Sequence, residues 1–257
     1  MNRYLEDALH YANLAYYTND WIINNLDKSD ELNYYEIKSL NFIKSNNLNV
    51  NISNKIDLGL PNILHSKKDN KLFISFPGIR TNDDKLNCLN FKLKYIEDIK
   101  SNIHKGFSDI FYKLKDEVDL IININLNEIN EIIFCGHSLG GAIAKLFSLY
   151  CKLTYSLKVY CYTFACPIIG DDTFSNMLNN NLNNLFTLCC EKDFLIRIPS
   201  WRTCNENKKY MINNNNLETY KNLTNDYLYN FLILEANTHR LYHYIDFIEN
   251  KSFNLNI

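Results

Sequence analysis

Glycine is scarce in this chain, with 7 among 257 residues. Glycine is the residue that reaches φ > 0 without steric cost, so a cluster of it in a glycine-poor chain marks a turn the backbone has to make. Three of the seven flank one serine, in EIIFCGHSLGGAIAKLFSLY at 131–150. Other scarcities exclude whole classes of function. There is no basic excess: 27 Lys and Arg stand against 29 Asp and Glu, a net charge of −2. A nucleic-acid binder would gather positive charge on one face, so no nucleic-acid partner is expected. No run of about 18 apolar residues exists, so no transmembrane segment is expected. The start, MNRYLEDALHYANLAYY, carries acidic residues where a secretory signal needs an apolar core. It reads as an amphipathic helix of the mature fold, and a cytoplasmic location is the expectation. None of the 8 cysteines (Cys88, Cys135, Cys151, Cys161, Cys166, Cys189, Cys190, Cys204) forms a CxxC pair, so no metal site is expected. Several sit in apolar strands, where a free thiol behaves as a small buried hydrophobe and implies a reducing compartment.

What remains is an ordinary globular balance, 46% hydrophobic and 22% charged. The length suits one large α/β domain spanning 1–257. Asparagine fills roughly one position in six, a compositional bias toward turns, caps and surface. Apolar spacing predicts helices over 3–20, 31–46, 84–95, 107–127, 138–152, 171–181 and 239–250. Strands are predicted at 49–52, 60–66, 71–76, 132–135, 158–165 and 185–190, and MINNNNLETY reads as a hairpin. Strands alternate with helices through the middle of the chain. That is the pattern of a mostly parallel central sheet flanked by helices on both faces.

GHSLG fits G-x-S-x-G between a strand and a helix, the setting of a nucleophile elbow. Ser138 would stand on a sharp turn, with Gly136 and Gly140 as small neighbours and Gly141 letting the next helix approach the sheet. A serine hydroxyl at a helix N-terminus faces free N–H groups that favour developing negative charge. It still needs a base, and the base needs an acid to orient it. On such a scaffold the chain order is Ser, then Asp or Glu, then His. Of the six histidines only His239 and His243 lie after the later strands. Asp193 follows the strand LFTLCC, and Glu191 competes with it. Asp171 and Asp172 open a helix, where Asp is a routine N-cap. His137, on the tight turn itself, reads as a packing residue.

Several segments together resemble one family, the class 3 (fungal-type triacylglycerol) lipases of the α/β-hydrolase fold. GHSLGGAIAKL is similar to its elbow and following helix, and IHKGF at 103–107 to its His-x-Gly-Phe block. YTFACPIIGDDTF at 162–174 resembles its Phe-Gly-x-Pro-x-Val-Gly-Asn stretch. EKDFLIRIP resembles the segment that carries its acid, and NTHRLYHYIDFI its C-terminal histidine block. The matches run in order from about residue 70 to 248. The resemblance implies Ser138 as nucleophile, Asp193 as acid and His239 as base. It implies the backbone N–H groups of Ile79 and Leu139 as the oxyanion hole, with no cofactor and no metal. The implied reaction is hydrolysis of fatty-acyl esters of glycerolipids at a lipid–water interface through an acyl-enzyme. Phospholipase A1 or mono- or diacylglycerol lipase activity is the alternative within the class. A catalytically weak lipid-binding protein is the alternative outside it.

Two departures stand out. The family has Arg-Gly-Ser or Arg-Gly-Thr where this chain has Pro77-Gly78-Ile79, so the hydroxyl that assists the oxyanion is absent unless Thr81 supplies it. Ala165-Cys166 stands where the family has Phe-Gly or Ala-Gly. Residues 81–95 occupy the place of the family's lid, with Leu86, Leu89 and Leu93 at helical spacing for one apolar stripe.

Overall fold

The computed structural model of the protein describes residues 4–28, 32–53, 60–79, 92–191, 193, 195–197, 209–213, 216–219 and 239–250. Its elements begin with helices α1 (Leu5–Leu14), α2 (Asn19–Asn25) and α3 (Tyr34–Ser45). Strands β1 (Val50–Ser53), β2 (Ile63–Lys68), β3 (Lys71–Phe76), β4 (Leu93–Ile96) and β5 (Ser101–His104) follow. Then come α4 (Lys105–Asn125), β6 (Glu131–His137), α5 (Leu139–Thr154), β7 (Lys158–Phe164), α6 (Asp172–Asn181) and β8 (Leu185–Cys190). Strands β9 (Lys209–Asn213) and β10 (Asn216–Thr219) and helix α7 (Leu241–Asn250) complete them.

Eight strands form one sheet in the order β1-β2-β3-β6-β7-β8-β9-β10. The four pairings from β3 to β9 are parallel, and the outer ones are antiparallel. Parallel strands are covered on both faces, so their sequences run apolar rather than alternating. β6 illustrates this: every one of its residues is buried. Ile132 and Phe134 enter a core shared with α4, α5 and α6. Ile133 and Cys135, turned the other way by the strand's period of two, enter a second core with α1, α3 and α7. This is the α/β-hydrolase arrangement expected from the sequence.

Two local expectations need correction. The helix expected over 3–20 is broken into α1 and α2. Thr18 leaves the helical region (φ −107°, ψ 163°) and caps α2 by accepting the Trp21 N–H at 3.2 Å. Helix α1 has already ended at Leu14, with Ala15 as its C-cap, so the chain turns before Thr18 starts α2. The second is the helix expected over 84–95. Its last residues are β4, paired antiparallel with β5 from Leu93↔His104 to Ile96↔Ser101. Leu93, Lys94 and Tyr95 are all exposed there, so the apolar spacing of Leu93 marks no helix face. The rest of the expected lid, 81–91 with Leu86 and Leu89, lies outside the described residues, as do Thr81, Cys88 and Cys204. The MINNNNLETY hairpin corresponds to the antiparallel β9–β10 pair.

The six described cysteines are free and buried. Burial pushes the Cys135, Cys151 and Cys190 thiols up to about 12, so they are inert hydrophobes. Among the described residues no helix is long and apolar enough to cross a membrane, and no cluster of His, Cys, Asp and Glu is arranged to hold a metal ion.

The elbow helix α5 is held by an aromatic stack. Phe147 is fully buried, with its ring 5.4 Å from Phe76 and 4.7 Å from Phe111. Phe147→Ala is expected to destabilise the fold by about 3–5 kcal/mol through lost burial and a residual cavity. Urea unfolding checks this as a lowered midpoint at unchanged slope.

Candidate active site

The strand-to-helix turn after β6 places Ser138 at φ 55°, ψ −122°. A non-glycine residue holds such a backbone only when its surroundings impose it. They do so here by close approach. A Cβ on Gly136 would collide with the Gly140 carbonyl group, and one on Gly140 with the carbonyl oxygen of Phe76 at the end of β3. The Ser138 N–H donates to the Phe164 carbonyl at 2.9 Å, tying the turn to β7. Gly141 faces the sheet as expected: a Cβ there would lie 3.2 Å from Cys166 Cβ and 3.3 Å from Thr163 Cβ. Cys166 is accommodated, buried, with its thiol directed to the Pro167 carbonyl.

Ser138 is the N-cap residue of α5, yet its side chain makes no capping bond. Its Oγ lies instead 2.7 Å from His239 Nε2. His239 Nδ1 lies 2.6 Å from Asp193 Oδ2. A carboxylate can only accept, so the His239 proton sits on Nδ1, and Nε2 presents its lone pair to the serine O–H. Asp193 is buried; its second oxygen accepts the Leu195 N–H at 3.0 Å. A buried carboxylate with both oxygens engaged is a fixed acceptor. The structure thus brings together three residues that the sequence separates by 46 and 101 positions.

The competitors lie elsewhere. The main chain of Glu191 pairs with Ile212 and accepts from Arg197, outside the Ser138–His239 contact. His243, one turn into α7, packs against Tyr242, and its Nε2 is buried without a hydrogen-bond partner. His10 lies against Ser39 and Phe42, between α1 and α3. His65 is in β2, and His104 ends β5 stacked on Phe107 at 4.2 Å. Asp171 caps α6 through the Thr173 and Phe174 N–H groups.

Leu139 opens α5 and is buried; Ile79 follows the Pro77-Gly78 turn and is 38% exposed. Since Gly140 lies against the Phe76 and Pro77 carbonyls, the chain leading to Ile79 crosses the elbow directly.

His137 differs from its expected role. It is buried as a packing residue would be, but its Nδ1 lies 2.7 Å from the Tyr16 hydroxyl and its Nε2 2.6 Å from the His239 carbonyl oxygen. Burial, and then the neighbouring His239, hold it down to about 3. Tyr16 comes from the break between α1 and α2, which the apolar spacing of the N-terminus concealed.

A family model for lipase (class 3) matches residues 73–203, just over half of the chain. The chain belongs to the class 3 lipase family. This class 3 lipase is accordingly a carboxylic ester hydrolase. Solved structures agree on its fold. The triacylglyceride lipase of Rhizomucor miehei is 16% identical with a TM-score of 0.66, covering 93% of this chain and 94% of that one. Lipase II of Rhizopus niveus is also 16% identical, with a TM-score of 0.65 and the same coverage of both chains. A triacylglycerol lipase described as having a serine-protease triad as its catalytic centre is 17% identical, at a TM-score of 0.69 and 91% coverage of each.

The buried histidines make the lipase acid-sensitive. His137 is held down to about 3 and His10, by burial first and Lys38 second, to about 4. Between those values and the ordinary ~6.5, the unfolded chain binds protons that the folded chain does not. Their favourable contribution is therefore present above ~6.5 and lost as the pH falls. Each contributes a slope of about 1.4 kcal/mol per pH unit in that window. Urea midpoints are expected to fall between pH 7 and 5, and His10→Gln to flatten the slope.

Proposed function

We propose that the protein hydrolyses fatty-acyl esters of glycerolipids, of the triacylglycerol lipase type, with Ser138, His239 and Asp193 as the catalytic triad. The observation that carries this reading is the continuous hydrogen-bond chain Ser138 Oγ–His239–Asp193, at 2.7 and 2.6 Å, on a strained turn in a class 3 lipase. His239 Nε2 takes the Ser138 proton as Oγ attacks the ester carbonyl. Asp193 stabilises the imidazolium and keeps its ring in the attacking orientation. The N–H groups of Ile79 and Leu139 receive the oxyanion. Collapse of the tetrahedral intermediate expels the alcohol, protonated by His239, and leaves an acyl-enzyme. Water, activated by the same histidine, then releases the fatty acid.

Ile79 favours a second reading, a weakly catalytic lipid-binding protein, because it brings no hydroxyl to the oxyanion. A lost oxyanion donor typically costs about 10²–10³ in rate. Hydrolysis of p-nitrophenyl esters from two to sixteen carbons separates the two. Serine-dependent turnover that rises with chain length is expected, followed by preference for glycerides over phospholipids in emulsions; the reverse preference would make the protein a phospholipase A1. Ser138→Ala is expected to abolish turnover, a loss of roughly 10⁶ in kcat. Asp193→Asn is expected to lower kcat by about 10⁴, since the amide favours the wrong tautomer of His239. Ile79→Ser is expected to raise kcat by up to about 10². Folded protein with no turnover above the Ser138→Ala background on any chain length would overturn the enzymatic reading in favour of lipid binding.

A further inference from the structure

We propose that His137 is a positioning residue for the reaction: its Nε2–H holds the main-chain carbonyl of His239, and Tyr16 fixes the tautomer that allows it. This rests on the assignment of Ser138 and His239 above. The geometry supplies the direction of each bond. The His239 carbonyl oxygen, 2.6 Å from His137 Nε2, can only accept, so Nε2 carries a proton. A neutral imidazole then has a bare Nδ1, and the Tyr16 hydroxyl at 2.7 Å donates to it. Burial keeps the ring neutral across the working pH range. The relay therefore runs Tyr16 O–H to Nδ1, and Nε2–H to the His239 carbonyl.

Side-chain bonds leave His239 incompletely fixed. Asp193 and Ser138 orient its imidazole, but both act beyond Cβ and tolerate a compensating shift of the backbone. The bond from His137 acts on the peptide itself. Because His137 and Ser138 are consecutive, one turn sets both the nucleophile's Oγ and the anchor of the base's main chain. Gly78 completes the arrangement: a Cβ there would collide with the Tyr16 hydroxyl and lie 3.3 Å from His137 Nδ1. The missing side chain is the space through which Tyr16 reaches the ring, and it joins two residues 121 positions apart.

Two substitutions separate this role from packing. In His137→Gln the amide nitrogen reaches the place of Nε2 and keeps the donor to His239. In His137→Asn the shorter amide keeps a polar group near Tyr16 and loses that donor. A misplacement of about 1 Å costs on the order of 10²-fold. His137→Asn is therefore expected to lower kcat about 10²-fold with KM nearly unchanged, and His137→Gln to recover to within about tenfold of wild type. The low-field proton resonance of His239 Nδ1–H, bonded to Asp193, reports the same event without turnover. It is expected in wild type and His137→Gln, and lost or shifted in His137→Asn. Tyr16→Phe, which removes only a hydroxyl, is expected to lower kcat a fewfold and broaden the resonance.

A folded His137→Asn variant with wild-type kcat and resonance would overturn the proposal, as would equal losses in the Asn and Gln variants. Should His137→Asn not fold, an unchanged kcat and resonance in Tyr16→Phe would overturn it. If ester hydrolysis proves independent of Ser138, the triad assignment fails instead. Retention of the resonance in His137→Asn would then still refute the anchoring of His239.

Discussion

The site depends on one steric condition: the backbone at Ser138 cannot relax. Its positive φ would cost on the order of 1–3 kcal/mol in a free chain. Here Gly136 and Gly140 touch across the turn, and the carbonyls of Phe76, the last residue of β3, and of Pro77 after it lie against Gly140. Any return to an ordinary strand-to-helix passage would separate these surfaces and break the bond from the Ser138 N–H to Phe164. Side chains of β6 anchor in both cores, so the strand cannot slide to absorb the strain. The serine is held out of the sheet, at the carboxyl end of the parallel strands, by packing that begins well inside it.

The remaining members are brought to that point by different means. Asp193 follows β8 within three residues, and its N–H bonds back to the Cys190 carbonyl. A carboxylate with so little access to water is tolerable only with fixed partners; the Leu195 N–H and His239 serve as those partners. Helix α7 is fastened from three directions. Its Tyr244 hydroxyl accepts the Cys190 N–H at 3.1 Å, its Asp246 accepts from Tyr35 of α3 at 2.8 Å, and the His239 carbonyl just before it is met by His137. The first of these ties α7 to the strand that leads to Asp193. The last ties the residue before α7 to the strand that leads to Ser138.

Much of this was legible before the structure. The elbow is a local pattern, since glycine spacing and the flanking strand and helix lie within twenty residues. Asp193 and His239 were legible only by their order after later strands and by family resemblance, with Glu191 and His243 open on residues alone. Burial and hydrogen bonding distinguish them, and neither is a property of local sequence. Tyr16 escaped notice and His137 read only as a packing residue for the same reason: their contact joins the break after α1 to the end of β6. The apolar spacing of 3–20 was continuous, but α1 ends at Leu14 and the chain restarts as α2 only after the extended Thr18. At Leu93 the leucine spacing imitated a helix where backbone pairing with β5 prevails.

The fastening of α7 has a consequence for how the protein comes into being. During synthesis the serine, its turn and the buried aspartate are all made before His239, which trails the serine by 101 residues. The surface that receives α7 belongs to α1, α3 and the sheet, all translated earlier. Leu241, Tyr244, Ile245 and Phe247 of α7 fill that same core, so the core and the Ser138–His239 contact are completed together, when the final described helix docks. On the proposed triad, ester hydrolysis would wait for that one late event. A chain cut short before His239 would lose both that part of the core and the imidazole that meets Ser138.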